Sequence, residues 1–471
     1  MSREGELRAA LAEVQGAGLC SHPVRLFGTH VDGSTGELRP GRLTVACKDR
    51  RRSVCPACSK RYQADAWHLV AAGLRGGKGV PETVVDHPNV FVTLTAPSFG
   101  PVHSRPGDRA ASAPCHPRRR AVTCPHGVVL TCTRRHPVGD RVLGEPLCAG
   151  CFDYEGAVLW NAKVPELWRR TTVALVRALA KEQHTSEAAL RRAARISFVK
   201  AAELQRRGLV HLHVVVRLDG PDGPGSAPLV PIDADELAAV VCRVAASVSV
   251  PSPGSPARAR TRWGTELDVR ILGGDDGDAD PVAIAAYTAK YATKSAADAH
   301  GPAHRLRHLG ELERLGLRPH PATLVRTAWA LGGRPELAAL GLRRHAHAFG
   351  FPGHVLTKSR AYSTTFGALR GARANFAHRD ETDSDDDSGD VDSAFDDDIG
   401  ALDRAFDGAW RYGGRGYEHP DAERLAEALF GLDRTSTGTW TGTSTGPSTS
   451  TGSSTGTSTG PLQGDDQGKG Q

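Results

Sequence analysis

The 471-residue sequence predicts an α+β fold, a single antiparallel sheet with helices on one face. Three observations carry that expectation. A β-branched run at residues 90–97, VFVTLTAP, ends in proline and reads as a buried strand. Residues 195–220 alternate as two short strands around Arg206, Arg207 and Gly208, the pattern of a hairpin with glycine at the turn. Helical spacing lies between and after these strands, giving the order β-α-β-β-α-β-α.

The elements follow in turn. Residues 152–183 place Val158, Leu159, Leu167, Val173, Leu175, Val176 and Leu179 at helical spacing, in one or two helices broken near Pro165. After the hairpin, 221–230 is a Gly/Pro loop, and 233–248 is an amphipathic helix opened by acids. TELDVRIL at 265–272 alternates as a further strand, and 281–297 is a helix with proline in its first turn. The domain plan is a Cys-rich N-terminal module at 1–85, then a core at 86–300 with a Cys-rich insertion at 101–151. A basic, mostly helical region at 301–378 follows, carrying Arg343, Arg344, Lys358, Arg360, Arg370 and Arg373. Residues 379–400 read as an acidic linker and 401–433 as a short helical segment. The Ser/Thr/Gly tail at 434–471 is too poor in apolar surface to order itself.

Composition narrows the partners. Net charge is +6, but residues 380–400 hold eleven acids and no Lys or Arg, so the rest of the chain carries +17. A body that basic suggests a polyanion, nucleic acid first. No apolar run approaches the roughly 20 residues of a membrane span, and the first fifteen residues lack a signal-peptide pattern. The expectation is a cytoplasmic protein without a membrane partner. GLRGGKGV at 73–80 is a turn rather than a phosphate loop, because Lys78 is followed by Gly79 instead of Ser or Thr.

In a reducing compartment ten cysteines are metal ligands before they are disulfides. Cys55-Pro-Ala-Cys58 forms a knuckle which, with Cys20 and Cys47, reads as a structural zinc ribbon; His22 competes for a place. A thioredoxin-like strand-helix pattern, which a redox role would need, is missing. The insertion carries Cys115, Cys124, Cys132, Cys148 and Cys151, with His116, His126 and His136 close by. A second knuckle at Cys148 and Cys151 predicts one further zinc site, with five cysteines for four places.

The chemistry concentrates on two elements. His211 and His213 alternate with Leu212, so both imidazoles leave one face of a strand roughly 7 Å apart. Glu203 on the preceding strand offers a carboxylate beside them, and Gln205 is the substitute. Two imidazoles and a carboxylate suit a divalent ion with room for a substrate oxygen. On the 281–297 helix, Tyr287 and Tyr291 share a face, and Lys290 and Lys294 repeat the same spacing. A phenol, with a pKa near 10, needs a neighbouring cation to attack a phosphodiester at neutral pH.

Glu203, His211 and His213 followed by Tyr287, Lys290, Tyr291 and Lys294 resemble the HUH endonucleases, rolling-circle replication initiators in particular. FVTLTAP at 91–97 looks like the first motif of that superfamily. CKDRRRSVCPACSKRYQADAWHL, LCAGCFDYEGAVLWNAKVPELWRRT, ELQRRGLVHLHVVVRLDG, YTAKYATK and TKSRAYSTTFGALR are similar to segments of initiators from actinobacterial plasmids and integrative elements. The resemblance spans roughly residues 18 to 378, with a weaker echo in WRYGGRGY at 410–417. It implies an HUH core, ferredoxin/RRM-like, that uses Mg2+ or Mn2+ beside structural Zn2+. It implies nicking of a double-stranded origin that is single-stranded at the nick. A tyrosine would take the 5′-phosphate covalently, leaving a 3′-hydroxyl primer for host helicase and DNA polymerase. The competing expectations are a non-catalytic, zinc-stabilised DNA-binding regulator and a transposase of the same superfamily.

Overall fold

The computed structural model describes residues 3–31, 37–105, 113–252, 259–272, 279–382 and 410–436. The expected acidic linker beyond residue 382 and the expected tail beyond residue 436 lie outside the described residues. In chain order the first half contains α1 (Arg3–Gly16), β1 (Val24–Val31), β2 (Leu38–Val45), α2 (Pro56–Arg75), β3 (Asn89–Leu94), α3 (Tyr154–Glu182) and α4 (Glu187–Ala193). The hairpin β4 (Arg195–Leu204) and β5 (Val210–Asp219) follows, then α5 (Ala234–Ser247), β6 (Ser249–Pro251), β7 (Arg260–Arg262) and β8 (Leu267–Ile271). The remainder is α6 (Pro281–Ala292), α7 (Glu311–Arg314), α8 (Pro319–Leu331), β9 (Leu356–Lys358), α9 (Phe366–Thr382), β10 (Arg411–Arg415) and α10 (Ala422–Ser436).

The main sheet has the order β8-β3-β5-β4-β9, every neighbour antiparallel. Without the edge strand β9, this is the order of a ferredoxin-like βαββαβ unit, with α3 and α5 as its two crossovers. Those crossovers pack on one face: Val90, Val92, Leu94, Leu212, Val214, Val216 and Leu218 share a core with Leu159, Leu167, Leu237 and Val241. The expectation of helices on one face only is corrected here. Phe91, Val199 and Val215 on the opposite face pack against Leu69, Val70 and Leu74 of α2 and Ile284 and Ala285 of α6. The physical reason stands in β5 itself, where every residue from Leu212 to Asp219 is buried, as in strands covered on both sides.

Two-sided burial also fixes register. Each buried Val or Leu contributes roughly 2 kcal/mol, and a one-residue slip of β5 would exchange its two faces. His213 would then be driven into the α3 side.

Three further expectations change. The helix at 154–182 runs unbroken through Pro165. Buried contacts on both sides of it, from Val158 and Leu159 to Leu167 and Leu175, offset the roughly 3 kcal/mol that an interior proline costs. The helix expected over 281–297 ends at Ala292, with Thr293 as its C-cap, so Lys294 lies beyond it. The basic region after residue 301 contains the strand β9, which extends the sheet at Val199–Ala201 of β4.

A second, three-stranded sheet has the order β10-β1-β2. Its edge comes from the segment expected as a short helical piece at 401–433, which supplies a strand as well as a helix. Ala422 and Ala426 of α10 pack on Ala10 and Val14 of α1, and Tyr417 Oη donates to Cys20 O at 2.7 Å. Near the core, buried Arg217 ties elements together. It bonds both oxygens of Asp219, at 2.6 and 2.9 Å, and donates to Tyr362 O at 3.0 Å, while Asp219 also contacts His87 Nδ1 at 2.8 Å.

Candidate functional site

The β4–β5 turn is closed by Gln205 N to Leu209 O (2.9 Å) and Gly208 N to Gln205 O (2.8 Å). Gly208 has φ +75°, and a Cβ there would sit 2.2 Å from Leu324 Cδ1, so both conformation and space require glycine. This turn sets Glu203 directly opposite His211 and Ala201 opposite His213, putting all three candidate ligands on the face that meets α6. The His211 and His213 rings lie 4.6 Å apart between centroids, and His213 Nε2 is 3.4 Å from Glu203 Oε2. Gln205 joins differently: its Nε2 is 3.4 Å from His211 Nδ1, and Arg207 Nε donates to its Oε1 at 2.9 Å.

Helix α6 begins at Asp280, whose carboxylate accepts from Val282 N (2.9 Å) and Ala283 N (3.3 Å), with Pro281 in the first turn. Ile284, Ala285, Thr288, Ala289 and Ala292 are buried, which turns Tyr287 and Tyr291 toward the histidines. The ring of His213 lies 4.9 Å from Tyr287 and 4.7 Å from Tyr291, and the two phenol rings are 4.6 Å apart. Phe91 supports the group, stacked on His213 at 6.1 Å and edge-on to Tyr287 at 6.0 Å. Lys294 Nζ contacts Glu203 Oε1 at 2.5 Å and stands 4.2 Å from the Tyr291 ring centroid; exposed Lys290 stands 6.0 Å from it. The structure thus brings together Glu203, His211, His213, Tyr287, Tyr291 and Lys294, and places Lys290 at the rim.

Electrostatics follow burial. Desolvation, reinforced by neighbouring His213, holds His211 down to about 3, so its imidazole is neutral near pH 7 and able to act as a ligand. Burial opposes the charge on Glu203, but His213 and Lys294 outweigh it and leave the carboxyl below its ordinary range. Burial pushes both phenols up, with Glu203 adding to the effect at each. The hydrogen bond between them eases ionisation of Tyr287 and opposes that of Tyr291.

One residue that sequence reasoning passed over is Arg50. Its Nη1 donates to Ala292 O (3.1 Å) and Lys294 O (2.6 Å), satisfying carbonyls at the end of the tyrosine helix. The basic run between Cys47 and Cys55 was the only signal in the sequence.

The cysteines resolve into three four-residue groups, each with its ligand atoms within 4.8 Å of one another. Cys20, Cys47, Cys55 and Cys58 form the first, with Sγ–Sγ separations of 3.7 Å (Cys20–Cys55) and 3.6 Å (Cys47–Cys58). A tetrahedral zinc with Zn–S near 2.3 Å requires an edge of about 3.8 Å, so these sulfurs fit the ion. His22 is not in the group. The five insertion cysteines do not compete for one site, and this corrects the expectation. Cys124, Cys148 and Cys151 close with His126, while Cys115 and Cys132 close with His103 and His136. Chain folding divides them, which spacing alone did not reveal. Glu203, His211 and His213 are not drawn together as tightly as these groups; one carboxylate oxygen is engaged by Lys294.

Residues 6–430 match the family described as replication initiator protein, pSAM2 (RepSA). The chain belongs to this replication initiator family. A curated protein of Streptomyces ambofaciens, named replication initiator protein, is 40% identical to the initiator over 383 residues, covering 77% of this chain and 79% of its own length. No solved structure matches the initiator. Among the described residues, no helix of the initiator is long and apolar enough to cross a membrane.

Proposed function

We infer that the initiator opens one strand of its origin through a tyrosine, retaining the 5′ end as a phosphotyrosine and leaving a 3′-hydroxyl for a polymerase. The observation that supports this most is the meeting of Tyr287 and Tyr291 with His213 beneath Lys294. In the reaction a tyrosine oxygen bonds to phosphorus and the P–O3′ bond breaks. The phenolic proton passes to solvent, and the departing 3′ oxygen takes one up.

The chain's own residues do most of what this step needs. Lys294 and Lys290 place positive charge beside Tyr291, where phenolate and phosphate charge develop. Phe91 and the sheet hold His213 and Tyr287 in one arrangement. Tyr287 and Tyr291 both reach the site, so one makes the first cut and the other is available to resolve the displaced strand. Glu203, His211 and His213 would hold the divalent ion; His213 Nε2 already faces Glu203 Oε2 at 3.4 Å, the nitrogen an ion shared with that carboxylate would use. Two imidazole donors match Mn2+ better than Mg2+, which prefers oxygen. Such an ion, when bound, polarises the scissile phosphate. Zn2+ in the Cys20/Cys47/Cys55/Cys58 and Cys124/His126/Cys148/Cys151 groups would brace the fold. The partners are origin DNA, single-stranded at the nick, and the host helicase and polymerase that extend the primer.

Supercoiled plasmid carrying the origin, incubated with the initiator and Mn2+, should yield open circles and a denaturant-resistant protein–DNA adduct. Tyr287→Phe combined with Tyr291→Phe should yield neither. An adduct that persists in the double variant would assign the nucleophile elsewhere. A gel shift with plasmid left supercoiled would make the protein a DNA-binding regulator.

A further inference from the structure

The insertion's second group of ligands lies outside any role discussed so far. His103, Cys115, Cys132 and His136 converge within 4.8 Å, and all but His103 are buried. Cys132 Sγ is 3.5 Å from His136 Nε2, and Cys115 Sγ is 3.8 Å from His103 Nδ1. A tetrahedral zinc with ordinary Zn–S and Zn–N lengths requires N–S edges of about 3.6 Å. The thiol-bearing residues are preset by backbone bonds: Cys115 N donates to Arg134 O, and Cys132 exchanges two bonds with His116. The far nitrogen of His136, Nδ1, contacts Asp140 Oδ2 at 2.7 Å, the carboxylate–histidine pairing that orients zinc-bound imidazoles.

From this group a run of contacts reaches the hairpin that carries Glu203 and His211. His103 N donates to Glu145 O (2.7 Å), and Gly144 N donates back to His103 O (2.8 Å). The loop so held closes on the β4–β5 turn. Arg206 Nη1 donates to Asp140 O at 3.1 Å, and Gly144, at φ +90°, approaches so closely that a Cβ would meet the Arg206 carbonyl carbon at 2.5 Å. Glu145 pairs with Arg318 at 3.1 Å, anchoring the loop from behind.

We propose that His103, Cys115, Cys132 and His136 bind a third zinc ion, and that this ion braces the β4–β5 turn from outside the sheet. The full chain then holds three zinc ions with nine sulfur and three nitrogen ligands among them, against seven and one if only the other two groups are filled. The third ion acts on the pocket through Asp140, Gly144 and Arg206, as a positioning device.

The test is metal content of the full-length protein by mass spectrometry, with the sulfur-to-nitrogen ratio from X-ray absorption. Three zinc per chain at 3:1 is the expected result; two zinc at 7:1 overturns the site. Cys132→Ser with His136→Ala should remove one zinc and keep two. The same variant should speed hydrogen exchange of the 205–209 amides about tenfold while leaving β3 and β8 protected. Loss of the zinc with unchanged exchange in the turn overturns the brace. Should that variant not fold, the wild-type count and ratio still decide the site. Asp140→Asn then decides the brace: it should weaken zinc retention 10- to 100-fold against a chelator and loosen the same amides. None of these readouts uses strand cutting, so this inference and the proposed nicking fail independently.

Discussion

Lys294 Nζ lies 2.5 Å from Glu203 Oε1, joining the residue just past the tyrosine helix to the carboxylate opposite His211. The same ammonium is 4.2 Å from the Tyr291 ring. One cation therefore stands against both the Glu203 carboxylate and the Tyr291 ring.

Lys294→Met should reduce formation of the covalent DNA adduct by about 100-fold, the usual loss when one preorganised charge partner is removed from a developing anion. Lys294→Arg should recover part of it. Single-turnover adduct formation on a labelled origin oligonucleotide reads both; an unimpaired Met variant would remove the lysine from the chemistry.

Arg50→Ala should slow the adduct step without lowering zinc content. It leaves the carbonyls of Ala292 and Lys294 without their donor, loosening the end of the helix that carries the tyrosines. Zinc content measured alongside the rate separates this from damage to the neighbouring Cys47 and Cys55 site.

His320 gives the protein an acid-sensitive joint. Its ring lies between Tyr154 Oη and Arg207 O, each at 3.1 Å, and burial holds it down to about 4. The unfolded chain, with an ordinary imidazole near 6.5, binds the extra proton first. Stability from this group is therefore intact above about pH 6.5 and is lost as pH falls toward 4, by roughly 3 kcal/mol in all. His320→Gln, which keeps a donor toward Arg207 O, should flatten that part of the stability profile in denaturant titrations at several pH values.

Removing residues 410–436 should release zinc faster from the Cys20 group, since it strips β10 from β1 and α10 from α1. Tyr417→Phe should show a smaller effect, about 1 kcal/mol, for the lost bond to Cys20 O. Chelator-driven zinc release would measure both, and unchanged kinetics in the truncated chain would show the segment to be dispensable there.

The hairpin at 195–220 was legible because alternation and a glycine turn are local signals, and Glu203 and the two histidines ride on it. The tyrosine helix was legible for the same reason, from Pro281 and the four-residue spacing of Tyr287 and Tyr291. Arg50 was not, since nothing near position 50 reveals a contact with position 292. The continuity of α3 through Pro165 is hidden in the sequence for a related reason. Proline's penalty is local and visible, whereas the burial that offsets it comes from distant strands. The second and third cysteine groups cannot be told apart in the sequence, because ligands separated by a loop carry no spacing rule.

By itself the sequence determined which residues can do chemistry, the strand pair that displays the histidines, and the helix that displays the tyrosines. These follow from periodicity, turn residues and ligand type, all properties of neighbours along the chain. Tertiary structure alone decided that helices cover both faces of the sheet, how the cysteines and histidines divide, and that residues 410–436 return to the N-terminal sheet. Those outcomes depend on burying apolar surface and satisfying backbone groups between segments far apart in the chain, where position in sequence carries no energy.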